Sequence, residues 1–327
     1  MNRRELLRGS AAAFAFAASS NAVSAQSKYP ERPIKLIVPR PAGGVVDVIG
    51  REWANGVRES LRAVVIDNMG GGGGTIGASA AARAPADGYT LFLGSTSELV
   101  LVPVINHQHY DAARDFAPVG IMALSMGAIA VHPSIPAHNL KELLAYAKAH
   151  PDKLSYGSAG AGSSSNLTGE LFKHLTGLPD IVHVPYKGAG AGITDLVSGQ
   201  IPMMTPMVSG GLVELHNAGK VRILAAASEQ RVAAAPNIPT GVEQGFPDLI
   251  AQLFMGLFAP AATPQPIVDQ LVRATQQVMQ DKPFQAKLVA AGFEPVIDPS
   301  PEKAAKYIKE EYARWTPVLK ASGMKQG

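Results

Sequence analysis

Two stretches of this chain join an apolar strand to a helix through a corner rich in glycine. In the first, Ile34-Lys35-Leu36-Ile37-Val38 runs into Pro39-Arg40-Pro41-Ala42-Gly43-Gly44, and a helical pattern starts at Val45. In the second, Leu154-Ser155-Tyr156-Gly157 runs into Ser158-Ala159-Gly160-Ala161-Gly162-Ser163-Ser164, with a helix predicted from about Asn166. The first turn of a helix carries unpaired backbone N–H groups and the positive end of the peptide dipole. Glycine lets an anion come close to those groups. The chemistry on offer is non-covalent: two rows of main-chain donors, in separate halves of the chain, able to hold a carboxylate between them.

Patterns for bond-making chemistry are missing. Tyr156-Gly157-Ser158-Ala159-Gly160 lacks the glycine that a nucleophile elbow needs two positions before its serine. Lys187 precedes Gly188, the reverse of the phosphate-loop order. Gly70 to Gly74 with Gly77 satisfy G-x-G-x-x-G only because a glycine run satisfies almost any glycine pattern. Neither Asp87 nor Glu98 supplies the acidic partner of a dinucleotide fold, so no cofactor is expected. The histidines are scattered; His107 and His109 are close but have no acidic partner at ligand spacing, so no metal is expected. Cysteine is absent, which excludes disulfides, thiolate chemistry and a lipid-bearing N-terminal cysteine. The chain is therefore expected not to be an enzyme, with a hydrolase as the less favoured alternative.

Alternating strands and helices must position the corners. Strands are predicted over 34–38, 63–67 and 90–93, helices over 45–61 and 75–83, and a short helix after Ser95. The strand-rich stretch 121–132 reads as a crossover. Beyond it the pattern predicts helices over 139–148, 167–176, 193–198 and 211–218, and strands over 154–157, 182–185, 202–205 and 221–226. A return strand over 253–260 precedes two closing helices, 266–280 and 301–319, the second capped by Ser300 with Pro301 at its first position. Such alternation builds α/β architecture with helices on both sheet faces. The expected division is a first lobe of residues 26–130 and 254–327, a second of 131–253, and a hinge of two crossovers around a ligand cleft.

At 327 residues, 46% hydrophobic and 17% charged, the chain can bury two cores. Residues 1–25 read as an export signal: Arg3, Arg4 and Arg8 precede a short apolar stretch from Ala11 to Ala18, then Val23-Ser24-Ala25. The paired arginines are like a twin-arginine leader, and cleavage is expected near Ala25. Three leader arginines against Glu5 account for two of the three net positive charges, so nothing here is a nucleic-acid footprint. No later stretch reaches the roughly 18 apolar residues of a membrane span.

A series of local patterns then carries a family resemblance. Tyr29-Pro30-Glu31-Arg32-Pro33-Ile34 opens it, followed by Val38 to Gly44 with Asp47, and by Asn68 through the glycine run to Ile76-Gly77. Asp87-Gly88-Tyr89-Thr90-Leu91, Asp115-Phe116-Ala117-Pro118-Val119, Tyr156 to Gly160 and His183-Val184-Pro185-Tyr186-Lys187-Gly188 continue it. Asp195-Leu196, Pro239-Thr240 with Glu243, and Gly256-Leu257-Phe258-Ala259-Pro260 complete it. In this order the set resembles the Bug-type, TctC-like substrate-binding proteins of tripartite tricarboxylate transporters. The resemblance implies a two-lobed periplasmic binding protein fold of type II, with two parallel or mixed sheets flanked by helices. It implies a monomer, exported to the periplasm, that captures a small carboxylate (a di- or tricarboxylate or an aromatic acid) for membrane permease subunits. Presenting the loaded lobe to a sensor kinase ectodomain is the alternative role.

Carried over by position, the resemblance implies that Pro41, Ala42, Gly43, Gly44 and Asp47 form the first half of the site. Ser158, Gly160, Ser163 and Ser164 form the second, and Asp195 faces the cleft. Arg40, Ser97, Asn166 and Thr205 are expected to tune the distal part of the ligand, with Ser95 and Phe254 completing the set. Arg40 stands where many members have an aromatic residue, Asn166 where histidine is common, and Thr205-Pro206 where Phe-Asp is frequent. An arginine there could take a second carboxylate by a bidentate contact.

Overall fold

The computed structural model describes residues 29–43, 45–105 and 108–322; the leader with its cleavage point, Gly44 and His107 lie outside that set. The body considered below begins at Arg32. Its strands are β1 (Ile34–Val38), β2 (Val64–Asn68), β3 (Thr90–Ser95), β4 (Phe116–Val131), β5 (Ser155–Ser158), β6 (Val182–Pro185), β7 (Met203–Met204), β8 (Arg222–Ala227), β9 (Gln252–Pro260) and β10 (Phe293–Pro295). Its longer helices are α1 (Val45–Gly56), α2 (Thr75–Ala82), α3 (Leu140–Ala149), α4 (Ser164–Thr176), α5 (Ala189–Ser198), α6 (Gly210–Asn217), α7 (Gln265–Met279), α8 (Lys282–Ala290) and α9 (Pro301–Ser322).

Strand β1 lies between β2 and β3, parallel to both. It is buried at Ile34, Leu36, Ile37 and Val38, the near-continuous apolar run of a parallel strand covered on two faces. Strand β5 holds the corresponding place in the second half, parallel to β6 and β7.

The sixteen-residue β4 joins the two halves. From Phe116 to Met126 it pairs antiparallel with β9, which in turn pairs with β3. From Gly127 to Val131 it pairs with β8, and at Ala130 and Val131 also with β7. One strand therefore belongs to both sheets and changes partners at Met126–Gly127. A Cβ at Gly127 would lie 2.5 Å from Thr168 Oγ1, so glycine lets α4 pack against the change-over. Beside it, Gly127 N–H donates to Ala251 O (2.9 Å), just before β9 begins. Helix α9 packs on β4 and on α4, placing Trp315 and Leu319 in the main core.

Several elements differ from the sequence expectation. The helix expected over 45–61 is broken at Val57 into α1 and the turn Arg58–Leu61. The crossover strand starts at Phe116, not at 121. Between the two expected closing helices lie a third, α8, and the short strand β10. Asp281-Lys282-Pro283 has turn composition, yet Asp281 Oδ2 accepts from Phe284 N–H (3.0 Å) and Pro283 sits where helices tolerate proline.

Candidate functional site

The C-terminal ends of β1, β3 and β5 open onto one cleft of about 570 Å³. Ligands of open α/β sheets bind beyond such carboxyl ends. The first sheet and its turns contribute Arg40, Val46, Gly73, Ser95, Thr96 and Ser97. The second corner contributes Ala161, Gly162, Ser163 and Ser164. The crossing strands supply Ser125 and Leu253 to Met255, joined by Met207 and Phe293.

The first corner is tied down from inside. Asp47 Oδ2 accepts from Gly43 N–H (2.9 Å) and from Arg51 Nε (2.8 Å). Its Oδ1 accepts from Asn68 Nδ2 (2.8 Å), which also donates to Arg40 O (3.1 Å). The Arg51 hydrogen bond is the main reason that the buried Asp47 carboxyl is held down at about 2. Gly43 has a φ of +82°, and a Cβ there would meet nothing within 4 Å. The glycine is required by the backbone angle, not by crowding. Of the described residues of this corner, Arg40 and Val46 line the cleft; Pro41, Ala42, Gly43 and Asp47 do not.

Arg40 is not a free cation. Its Nη1 forms an ion pair with Glu98, which is fully buried, and donates to Pro39 O (2.8 Å) and more weakly to Gly73 O (3.4 Å). Glu98 Oε2 accepts from Ser95 N–H (3.0 Å) and Ser95 Oγ (2.5 Å). The turn carrying Glu98, Ser97–Leu101, is a π-helical turn, a widening frequent at functional sites. Ser97 Oγ reaches Gly73 O (3.2 Å).

The second corner has a different economy of donors. Ser163 caps α4: its Oγ accepts from Asn166 N–H (3.2 Å) and donates to Gly160 O (2.6 Å). Asn166 is buried, taking Gly162 N–H on Oδ1 (3.0 Å) and donating to Tyr156 OH (2.7 Å). Ser158 is also buried, between Gly160 N–H (3.1 Å) and His183 Nε2 (2.7 Å). Burial pushes the His183 imidazole below its ordinary value and favours its neutral form. Thr205 Oγ1 donates to Ser165 O (2.5 Å), bracing the first turn of α4. Among the described residues, the N–H groups of Ala161, Ser164 and Ser165 have no hydrogen-bond partner. Two of those three residues line the cleft.

Of the residues singled out from sequence, Arg40, Ser95, Ser97, Ser163, Ser164 and Phe254 meet in this cleft. Ser158, Gly160, Asn166 and Thr205 do not line it, and Asp195 stands apart on α5, accepting from Tyr186 OH (2.9 Å). Sequence reasoning missed Gly73, Ser125, Met207 and Phe293. The glycine run was the one visible signal: Gly71 to Gly74 all have positive φ, so the run folds back and brings Gly73 to the cleft.

Residues 49–324 match the family model described as the tripartite tricarboxylate transporter family receptor. Protein BugT of Bordetella pertussis is 34% identical over 331 residues, covering 99% of both chains. A Rhodopseudomonas palustris protein solved with adipate superposes with a TM-score of 0.75 at 33% identity, over 91% of this chain and 99% of its own. MatC from the same species, solved with bound malate, gives 0.73 at 29% identity, over 89% and 100%. The chain belongs to the tripartite tricarboxylate transporter receptor (TctC, Bug-type) family, a family of two-lobed solute-binding receptors and not of enzymes.

Proposed function

We propose that the chain captures a small dicarboxylate in the periplasm and delivers it to the permease subunits of a tripartite tricarboxylate transporter. One observation carries the reading: the unpartnered amides at the start of α4 share a cleft whose single charged lining residue, among the described residues, is Arg40. A carboxylate at those amides gains charge-assisted hydrogen bonds and the favourable end of the helix dipole. Adipate and malate, bound by the two structural neighbours, are both dicarboxylates.

Capture is a change of lobe arrangement about the two crossing strands, with lobes of residues 26–130 plus 254–327 and 131–253. A ligand that touches both corners favours the closed form by contacts that exist only there. Binding then raises the melting temperature in proportion to the logarithm of free ligand over Kd. A thermal-shift panel of mono-, di- and tricarboxylates and aromatic acids tests the reading. The expected result is a concentration-dependent rise with at least one dicarboxylate. No rise with any acid, or rises with monoacids alone, contradicts it.

A further inference from the structure

The contact of Arg40 with Glu98 raises a question that a simple ion pair does not answer. Burying a carboxylate completely behind a ligand cleft is costly unless its partners are fixed. Here Oε2 accepts from Ser95 N–H and Oγ, while Oε1 has no hydrogen-bond partner among the described residues and is held only by its ion pair with Arg40 Nη1. Arginine–carboxylate pairs are frequently bidentate, through two nitrogens of the guanidinium. Instead all hydrogen bonds of this side chain run through Nη1, and among the described residues Nε and Nη2 have none. The side chain is 31% exposed and lines the cleft, whereas Glu98 does not.

Gly74 adds an independent constraint. A Cβ at this position would collide with Glu98 Oε1 and with Arg40 Nη1. The last residue of the glycine run is thus shaped to the pair.

We propose that Glu98 is a positioning residue that fixes Arg40 by one nitrogen and so presents its remaining donors to a ligand's second carboxylate. The Arg40–Glu98 unit then selects diacids over monoacids. The inference rests on the cleft being a carboxylate site, with the first carboxylate at the start of α4.

Calorimetric titration with matched acids tests it: adipate against hexanoate, and malate against 2-hydroxybutyrate, each monoacid carrying methyl in place of one carboxylate. Wild type is expected to prefer at least one diacid over its partner by about tenfold or more, the scale of a charge-assisted hydrogen bond. Glu98→Gln keeps the shape but releases Arg40, and the preference falls several-fold. Arg40→Gln with Glu98→Gln removes both charges together, avoiding a lone buried carboxylate, and abolishes the preference. The ligand-free melting temperature and far-UV circular dichroism of each variant report an intact fold through the series. A wild type that binds acids without preferring diacids overturns the inference and leaves the carboxylate site standing. A Glu98→Gln protein with unchanged or increased preference removes the positioning role. Failure of wild type to bind any of the four acids removes support from the carboxylate site and from this inference together.

Discussion

The two glycine-rich corners look alike in sequence and differ in what they do with their donors. The first folds onto itself: Gly43 N–H is taken by Asp47, and Asp47 is held by Arg51 and Asn68. The second is stabilised by serine and asparagine side chains from within, yet among the described residues the N–H groups of Ala161, Ser164 and Ser165 stay unpaired. Equal glycine content therefore does not mean equal function. Where an acidic side chain stands in the helix's first turn it occupies the anion position; where only neutral side chains stand, that position stays open. The first corner offers a cation, Arg40, and the second offers amides.

The contrast can be broken most forcefully at Asp47. Asp47→Ala strips three donors of their acceptor, and we expect a loss of about 2–3 kcal/mol in chemical denaturation, with ligand selectivity unchanged. The pH dependence has a definite sign. The folded-state value of Asp47, about 2, lies below the ordinary carboxylate value, so its contribution is complete above about pH 4 and disappears as pH falls toward 2. Asp47→Asn should flatten that acid limb; an unchanged limb would remove Asp47 as the latch.

Gly43→Ala comes next. With open space around the added methyl, its cost is the left-handed backbone alone, about 1–2 kcal/mol. Because the Gly43 amide is already occupied, affinity for a carboxylate should change less than twofold, as read by calorimetry. A tenfold loss would put the first corner back into direct ligand contact. A smaller stability effect is expected at Ser163→Ala, about 1 kcal/mol for a lost N-cap. There affinity should fall as well, since the amides it orders are those proposed to hold the carboxylate. Ser163→Ala with unaltered affinity would erase the distinction between the corners.

Much of this was legible in the residues. Apolar runs ending in glycine located β1, β5 and both corners, and the helix expected over 139–148 is α3, where Asn139 Oδ1 takes Glu142 N–H (2.8 Å). What local pattern could not reveal depends on contacts between distant segments. Glu98 gains meaning only when β3 and the glycine run bring it under Arg40. Phe293 reaches the cleft because the three-residue β10 pairs with β4 opposite Ser125, too short a strand for periodicity to register. Asp195, an acidic residue near a landmark motif, accepts from Tyr186 OH and does not line the cleft, a pairing no local pattern shows.

The second corner permits a substitution aimed at one amide alone. Ser164 is the first residue of α4, where proline is tolerated, and Ser163 already has the extended φ and ψ (−74°, 161°) that a following proline requires. Ser164→Pro deletes the N–H without asking the fold to change. Titrating this variant with the best diacid of the panel measures whether main-chain donors at the start of α4 hold the carboxylate. The account predicts about a tenfold weaker Kd with the ligand-free melting temperature preserved; wild-type affinity in a folded Ser164→Pro protein would contradict it.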